Sequence, residues 1–286
     1  MSASSITKPS LVKSVLHPSD LSEASKNAFA HALAMALLHE TTLTIVHAGG
    51  NILAGHEWTK FPSVRSTLEQ WGLLAKGSPR SAVFDKLAIR VKKVDLQDRN
   101  PVSAILKYLK DSPTDLIVLA TEGRQGLPQW IQPSRAEKLS RRSRTMTLFV
   151  PNEARGFVSL ADGELTFHNV LIPVDHHPNP QAAIHIATRA AKVMGDNTVQ
   201  ITLLHVGESN RMPAMDLPTD PGWSWNKVLK QGDVVAEIIK EANRRPANLI
   251  VMVTKGRNGF LDALRGSVTE QVLRQAPCPV LAVPEP

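Results

Sequence analysis

The stretch TEGRQGLPQWIQPSRAEKLSRRSRTMTLFVP, Thr121 to Pro151, returns later in the chain as TKGRNGFLDALRGSVTEQVLRQAPCPVLAVP, Thr254 to Pro284. Gly123 and Gly126 fall on Gly256 and Gly259, Ser134 on Ser267, Glu137 on Glu270 and Pro151 on Pro284, all at an ungapped offset of 133 residues. Upstream, DLIVLATEGRQG matches NLIVMVTKGRNG, SVLHPSDLS matches NVLIPVDHH, and TTLTIVHAG matches VQITLLHVG. A repeat of this length is a duplicated domain-sized unit, far longer than a solenoid period of roughly 20–50 residues. The copies differ in the middle. From His47 to Gly123 is 76 residues, against 51 from His205 to Gly256, so the first unit carries about 25 extra residues around HEWTKFPSVRSTLEQWGLLAKGSPR. These are expected as an added helix or lid. Units are expected at 1–151 and 167–286, with the polar, glycine-containing stretch 152–166 as linker.

Each unit alternates strand and helix. The first predicts strands at 14–17, 42–47, 88–94, 116–120 and 146–150, with helices at 22–39, near 64–76, at 101–109 and at 134–143. The second repeats this through VLIPVD, a helix over 180–193, VQITLLHV, a strand near WSWNKVL, a helix over 234–243, NLIVMV, a helix over 267–275 and PVLAVP. Strands such as LIVLA and LIVMV are apolar on both faces, as a parallel sheet covered by helices on both sides requires. The fold class is therefore α/β, doubly wound.

Composition narrows the function. A single cysteine, Cys278, excludes an internal disulfide framework and a cysteine zinc cluster, and fits a reducing compartment. The opening MSASSITKPSLVKSVL lacks a long apolar core, and no run of 18 apolar residues occurs, so a cytoplasmic protein with no membrane contact is expected. The net charge of +7 favours anionic partners, while 5% aromatics argues against base-stacking platforms for nucleic acid.

The glycine loop after NLIVMV admits two readings. Gly256, Gly259 and Gly266 would let backbone N–H groups approach phosphate oxygens, with Ser267 as a further donor, Lys255, Arg257 and Arg265 as counter-charges and a helix N-terminus behind them. Equally, Ser267 and Glu270 form the capping box S-x-x-E, as do Ser134 and Glu137, and the glycines serve a turn. The first unit has Pro133 where the second has Gly266; proline removes an N–H donor and adds bulk.

Taken together, IPVD, the strand ending LLHVG, the glycine loop, the Gly-Ser helix start and APCPVLAVP resemble the universal stress protein family, twice and over almost the whole chain. The resemblance implies two Rossmann-like (adenine nucleotide alpha hydrolase-like) domains, each with a five-stranded parallel sheet sandwiched by four helices. Some members bind ATP, and domains associate through their last strands. It thus implies an internal pseudo-dimer with Met146–Val150 paired to Val280–Val283, and room for a further homo-dimer. Carried over, Asp175 lies near ribose and base with Asp20 as its counterpart, Val206 meets adenine by its main chain, and Gly256, Gly259, Gly266 and Ser267 take the phosphates. Read from the residues alone, the two aspartates are helix-leading acids and Val206 is a strand end. The family's ATP binders carry Gly-x2-Gly-x9-Gly-Ser/Thr; here Gly259 and Gly266 enclose six residues, FLDALR.

The expected function is an ATP-binding stress-response regulatory protein with its site in the second unit and protein partners that the sequence does not name. The alternative is a protein-interaction scaffold without nucleotide. At most a slow ATPase is expected, since no water-activating base is legible and no Walker, G-x-S-x-G or H-E-x-x-H motif occurs. Other clusters receive structural readings. His176 and His177 beside Asp175 lack a clear fourth ligand, so no metal is expected. His47 and His205 are expected as hydrogen-bonded strand-end histidines and Cys278 as core. Arg135, Lys138, Arg141, Arg142 and Arg144 are expected on a solvated helix face, and Trp58, Phe61 and Trp71 packed on the sheet.

Overall fold

The computed structural model describes residues 12–48, 63–98, 100–121, 139–140, 142–152, 154–195, 198–208, 211–254 and 267–285. The first unit supplies β1 (Ser14–Pro18), β2 (Thr42–Ala48), β3 (Arg90–Leu96), β4 (Leu116–Thr121) and β5 (Met146–Pro151). The second supplies β6 (Asn169–Pro173), β7 (Val199–Val206), β8 (Trp223–Lys230), β9 (Leu249–Thr254) and β10 (Val280–Pro284). All ten join one sheet in the order β3-β2-β1-β4-β5-β10-β9-β6-β7-β8. Neighbours within a unit run parallel. At the seam β5 and β10 run antiparallel, with Val280 opposite Phe149, Leu281 opposite Leu148 and Ala282 opposite Thr147.

The helices described in full are α1 (Lys26–Leu38), α2 (Val64–Gln70), α3 (Ala82–Leu87), α4 (Pro101–Asp111), α5 (Gln181–Met194), α6 (Val234–Arg244) and α7 (Val268–Gln275). The two-residue period of a strand sends alternate side chains to opposite faces. Leu281 and Val283 of β10 thus join the core shared by α1, α2 and α5, while Val280 and Ala282 join the core under α4, α6 and α7. That division is why these strands read as unbroken apolar runs. Each core cluster contains residues of both units.

Capping follows local chemistry. Asn100 accepts from the Ser103 amide at 3.2 Å ahead of Pro101, and Asp233 accepts from the Ala236 amide at 2.8 Å, each satisfying a first-turn donor. Some boundaries depart from expectation. The helix expected from residue 22 begins at Lys26, after a 3-10 turn over Glu23–Ser25. The helix expected near 64–76 ends at Gln70, because Gly72 takes a left-handed φ of 71°, and α3 follows as a separate short helix. The strand expected at 88–94 starts two residues later, after Ala88 takes a left-handed φ of 55°.

Helix α1 is buried on every side: all residues from Asn27 to Ala36 are inaccessible. One side meets the sheet; the other lies under the extra residues of the first unit and the segment joining the units. Val64, Leu68, Trp71, Leu74 and Ala82 share a core cluster with α1. The extra residues thus contain the expected added helix, α2, packed as a buttress on α1; Trp58 and Phe61 lie outside the described residues. The stretch expected as linker is packed too. The Phe157 amide donates to His31 Nε2 at 3.1 Å, and Phe157 stands edge-on to His31 at 4.5 Å. Trp71 Nε1 and Gln70 Nε2 both donate to the Leu160 carbonyl, and Val158 bridges Leu165.

Gly163 sits on this contact with φ at 76°, and a Cβ there would meet the Trp71 ring at 2.5 Å. Gly163→Ala is expected to destabilise the fold by at least the roughly 1–2 kcal/mol of a left-handed alanine, read as a lowered urea midpoint at unchanged slope.

Candidate functional site

In each unit the first strand has one neighbour reached by each direction of crossover: β1 lies between β2 and β4, and β6 between β7 and β9. The two connections leave to opposite sides, opening a crevice at the carboxyl ends of the strands, where open α/β sheets take ligands. The sequence-derived candidates fall on that edge. Asp175 follows β6, Val206 is the last residue of β7, and Ser267 opens α7 beyond β9. Gly256, Gly259 and Gly266 lie outside the described residues, as do Lys255, Arg257, Arg265, Gly123, Gly126, Pro133, Ser134 and Glu137.

The two aspartates differ sharply. Asp20 Oδ1 accepts from the Ser22 amide at 3.0 Å, the Ser22 hydroxyl at 2.6 Å and the Ser25 hydroxyl at 2.7 Å. Ser19 Oγ adds a turn by accepting from the Leu21 amide, which supports Leu21 at a left-handed φ of 60°. The serines of PSDLSEAS thus tie Asp20 Oδ1 into local turns, with Oδ2 buried and without a donor among the described residues. The second unit has Val174, His177 and Pro180 at the positions of Ser19, Ser22 and Ser25, so those hydroxyls are gone. Asp175 is exposed, and among the described residues its one hydrogen bond is from the His176 amide at 2.8 Å. A carboxylate oxygen is thereby left facing solvent at the crevice.

The strand-end histidines fix the backbone beside these aspartates. His205 Nδ1 donates to the Val174 carbonyl at 3.0 Å and His47 Nδ1 donates to the Ser19 carbonyl at 3.0 Å; a carbonyl only accepts, so Nδ1 carries the proton in both. Both side chains are buried, at 4% and 6% exposure, so each anchors a turn from below. His205 Nε2 is a buried acceptor without a donor among the described residues, and a Cβ at Gly207 would approach it to 2.9 Å. The anchoring role of His205 was visible in sequence only as a repeated histidine; its acceptor, 31 residues away, was not.

Ser267 takes the capping role: its Oγ accepts from the Glu270 amide at 3.0 Å. Glu270 is buried and accepts from Arg274 at 2.6 Å. Val206 is half-buried against the core under α6. Among the described residues no three His, Cys, Asp or Glu side chains come together as a metal site. Cys278 is fully buried, and burial pushes its thiol up to about 12, with Arg155 opposing weakly. It is a small apolar filler in the seam core rather than a nucleophile. No helix among the described residues is long and apolar enough to cross a membrane.

Comparison with known proteins agrees with the geometry. The model of the Universal stress protein family matches residues 12–151 and 220–284. A universal stress protein of Methanocaldococcus jannaschii is 26% identical over 154 residues, covering 44% of this chain and 88% of the relative. One from Synechocystis is 24% identical over 151 residues, covering 47% of this chain and 95% of the relative. Each therefore corresponds to about one unit. A solved universal stress protein from Archaeoglobus fulgidus superposes with a TM-score of 0.61 at 16% identity, covering 97% of this chain and 100% of its own. That likeness extends the Rossmann-like fold across both units.

Proposed function

The chain belongs to the universal stress protein family, and from that membership we propose that it is a regulatory protein binding ATP in its second unit. The phosphates lie on Gly256, Gly259, Gly266 and Ser267, adenine against the main chain of Val206, and ribose beside Asp175. The observation that carries this reading is the contrast between the aspartates: three local donors hold Asp20 by Oδ1 and its Oδ2 is buried, while Asp175 stands exposed at the crevice with one local donor. A ribose hydroxyl is the kind of donor that fits it. The chain works in the cytoplasm as an internal pseudo-dimer, and nucleotide occupancy alters its contacts with protein partners. The second reading, a scaffold with no nucleotide, is favoured by Ser267, whose hydroxyl already caps α7.

Titration calorimetry of the nucleotide-stripped protein tests the choice. One saturable site per chain is expected, abolished by Gly266→Pro, which copies the first unit. Asp175→Asn is expected to weaken binding roughly tenfold through loss of a charged hydrogen bond, and Asp20→Asn to leave affinity unchanged. No heat and no thermal stabilisation at about 1 mM ATP would sink the nucleotide reading and leave the scaffold.

A further inference from the structure

From Met212 to Gly222 the connection from β7 to β8 contains no helix. It leaves Gly207 at the carboxyl edge of the sheet and must return to Trp223 at the amino edge, because β7 and β8 are parallel. The eight-residue β8 spans roughly 26 Å at about 3.3 Å per residue. From Asp216 to Trp223 a fully extended chain reaches about 23–25 Å. The residues after Asp216 make the return and end it in a turn, where the Trp223 amide donates to the Asp220 carbonyl at 3.0 Å. They are fixed along the way: Trp225 Nε1 donates to the Pro218 carbonyl at 3.0 Å, and the Val199 amide donates to the Gly222 carbonyl at 2.7 Å. Asp216 itself meets Gln181 at the start of α5, on the carboxyl edge of the sheet.

The backbone of residues 212–217 is hydrogen-bonded through a single side chain. Gln181 Nε2 donates to the Asp216 carbonyl at 2.9 Å, and Gln181 Oε1 accepts from the Asp216 amide at 3.1 Å. The carboxamide thus replaces a strand partner, using its donor and its acceptor on the backbone of one residue. Among the described residues, these are the only hydrogen bonds made by the backbone of residues 212–217. His185 Nε2 lies 3.1 Å from Gln181 Nε2 and accepts its second hydrogen, fixing which end of the amide is which. Beneath, Met212, Met215 and Leu217 pack half-buried on the core shared with α5.

Gln181 is the first residue of α5, six residues beyond Asp175, and the held segment begins four residues beyond Gly207, next to Val206. The clamp therefore joins the two sides of the crevice between which the proposed site lies. The position equivalent to Gln181 in the first unit is Lys26, which pairs with Glu23 and lacks an acceptor.

We infer that Arg211–Leu217, held over the N-terminal end of α5 by Gln181, is a wall of the nucleotide site at its adenosine end, with Gln181 as its positioning residue. This rests on the nucleotide reading above. The wall narrows the crevice between Asp175 and Val206 and removes the entropy of ordering the segment on binding. It acts without touching the phosphates.

Hydrogen exchange of residues 211–217 and ATP titration, on the full chain, test this with Gln181→Ala and Gln181→Glu. Glutamate keeps the acceptor for the Asp216 amide and loses the donor to its carbonyl. In the wild-type protein ATP is expected to slow exchange at residues 211–217. In Gln181→Ala the Asp216 amide is expected to exchange about tenfold faster without nucleotide, and ATP affinity to fall about fivefold. Gln181→Glu is expected between the two, and the thermal midpoint without nucleotide to move little. Unchanged exchange in Gln181→Ala would overturn the clamp. Faster exchange with unchanged affinity would overturn the wall. A wild-type protein that binds no ATP would overturn the site itself, and the failure shows before any variant is made.

Discussion

Between pH 6.5 and about 4 the folded protein is expected to lose about 3 kcal/mol of stability through each of two histidines, His17 and His31. Both are fully buried, and burial lowers each from the ordinary 6.5 to about 4. For His17 the Val118 carbonyl, 3.0 Å from Nδ1, opposes this, and Asp20 opposes it further. For His31 the Asn27 carbonyl, 2.7 Å from Nδ1, opposes it. Between those pH values the unfolded chain takes up both protons and the native state does not. The contribution is therefore complete above 6.5, falls as the pH falls, and is flat below about 4. Two such losses are a large share of the roughly 5–15 kcal/mol that holds a domain together. Glu241 adds to the acid sensitivity at lower pH, because Arg244, then Arg245, hold its carboxyl below the usual range. His17→Ile is the clean test, since the second unit carries Ile172 at the matching strand position. Urea midpoints at pH 7.5, 6, 5 and 4 should show a shallower decline in that variant. An identical decline would show that His17 is not one of the groups titrating.

Phe149→Ala is expected to lower stability by about 3–5 kcal/mol and to destabilise both units together. Phe149 is wholly inaccessible, pairs with Val280 across the antiparallel seam and with Leu119 on its own side, and belongs to the core under α4, α6 and α7. Since each core cluster draws on both units, no surface separates them that could stay folded unchanged. Trp71 reports on the first unit, and Trp223 and Trp225 on the second. In wild type and variant alike, tryptophan fluorescence and circular dichroism should report one coincident transition. Two transitions, with only one moved by the substitution, would refute the shared core.

Much of the fold was legible because its signals are local. Runs such as LIVLA and PVLAV announce strands buried on both faces, and the 133-residue offset announces the duplication. Helix ends were less legible. The 3-10 turn before α1 depends on how Asp20 shares its oxygen among Ser22 and Ser25, and the break after α2 depends on Gly72 reaching a left-handed conformation. The candidate site was legible as positions: Asp175, Val206 and Ser267 come to one edge because strand ends in a parallel sheet share an edge. Which aspartate is exposed was not legible, since PSD and PVD differ by residues whose hydroxyls matter only once the turn is formed.

By itself the sequence determined the duplication, the parallel strands, the family resemblance and the edge to which Asp175, Val206 and Ser267 come. Each is written in a periodicity, a repeat or a short motif that acts over a few residues. Only the tertiary structure decided that the extra residues of the first unit buttress α1, that His31 grips Phe157 126 residues away, and that Gln181 clamps Asp216 35 residues away. Such contacts join groups distant in the chain, and nothing in a local pattern specifies which buried donor will meet which acceptor once the sheet has closed.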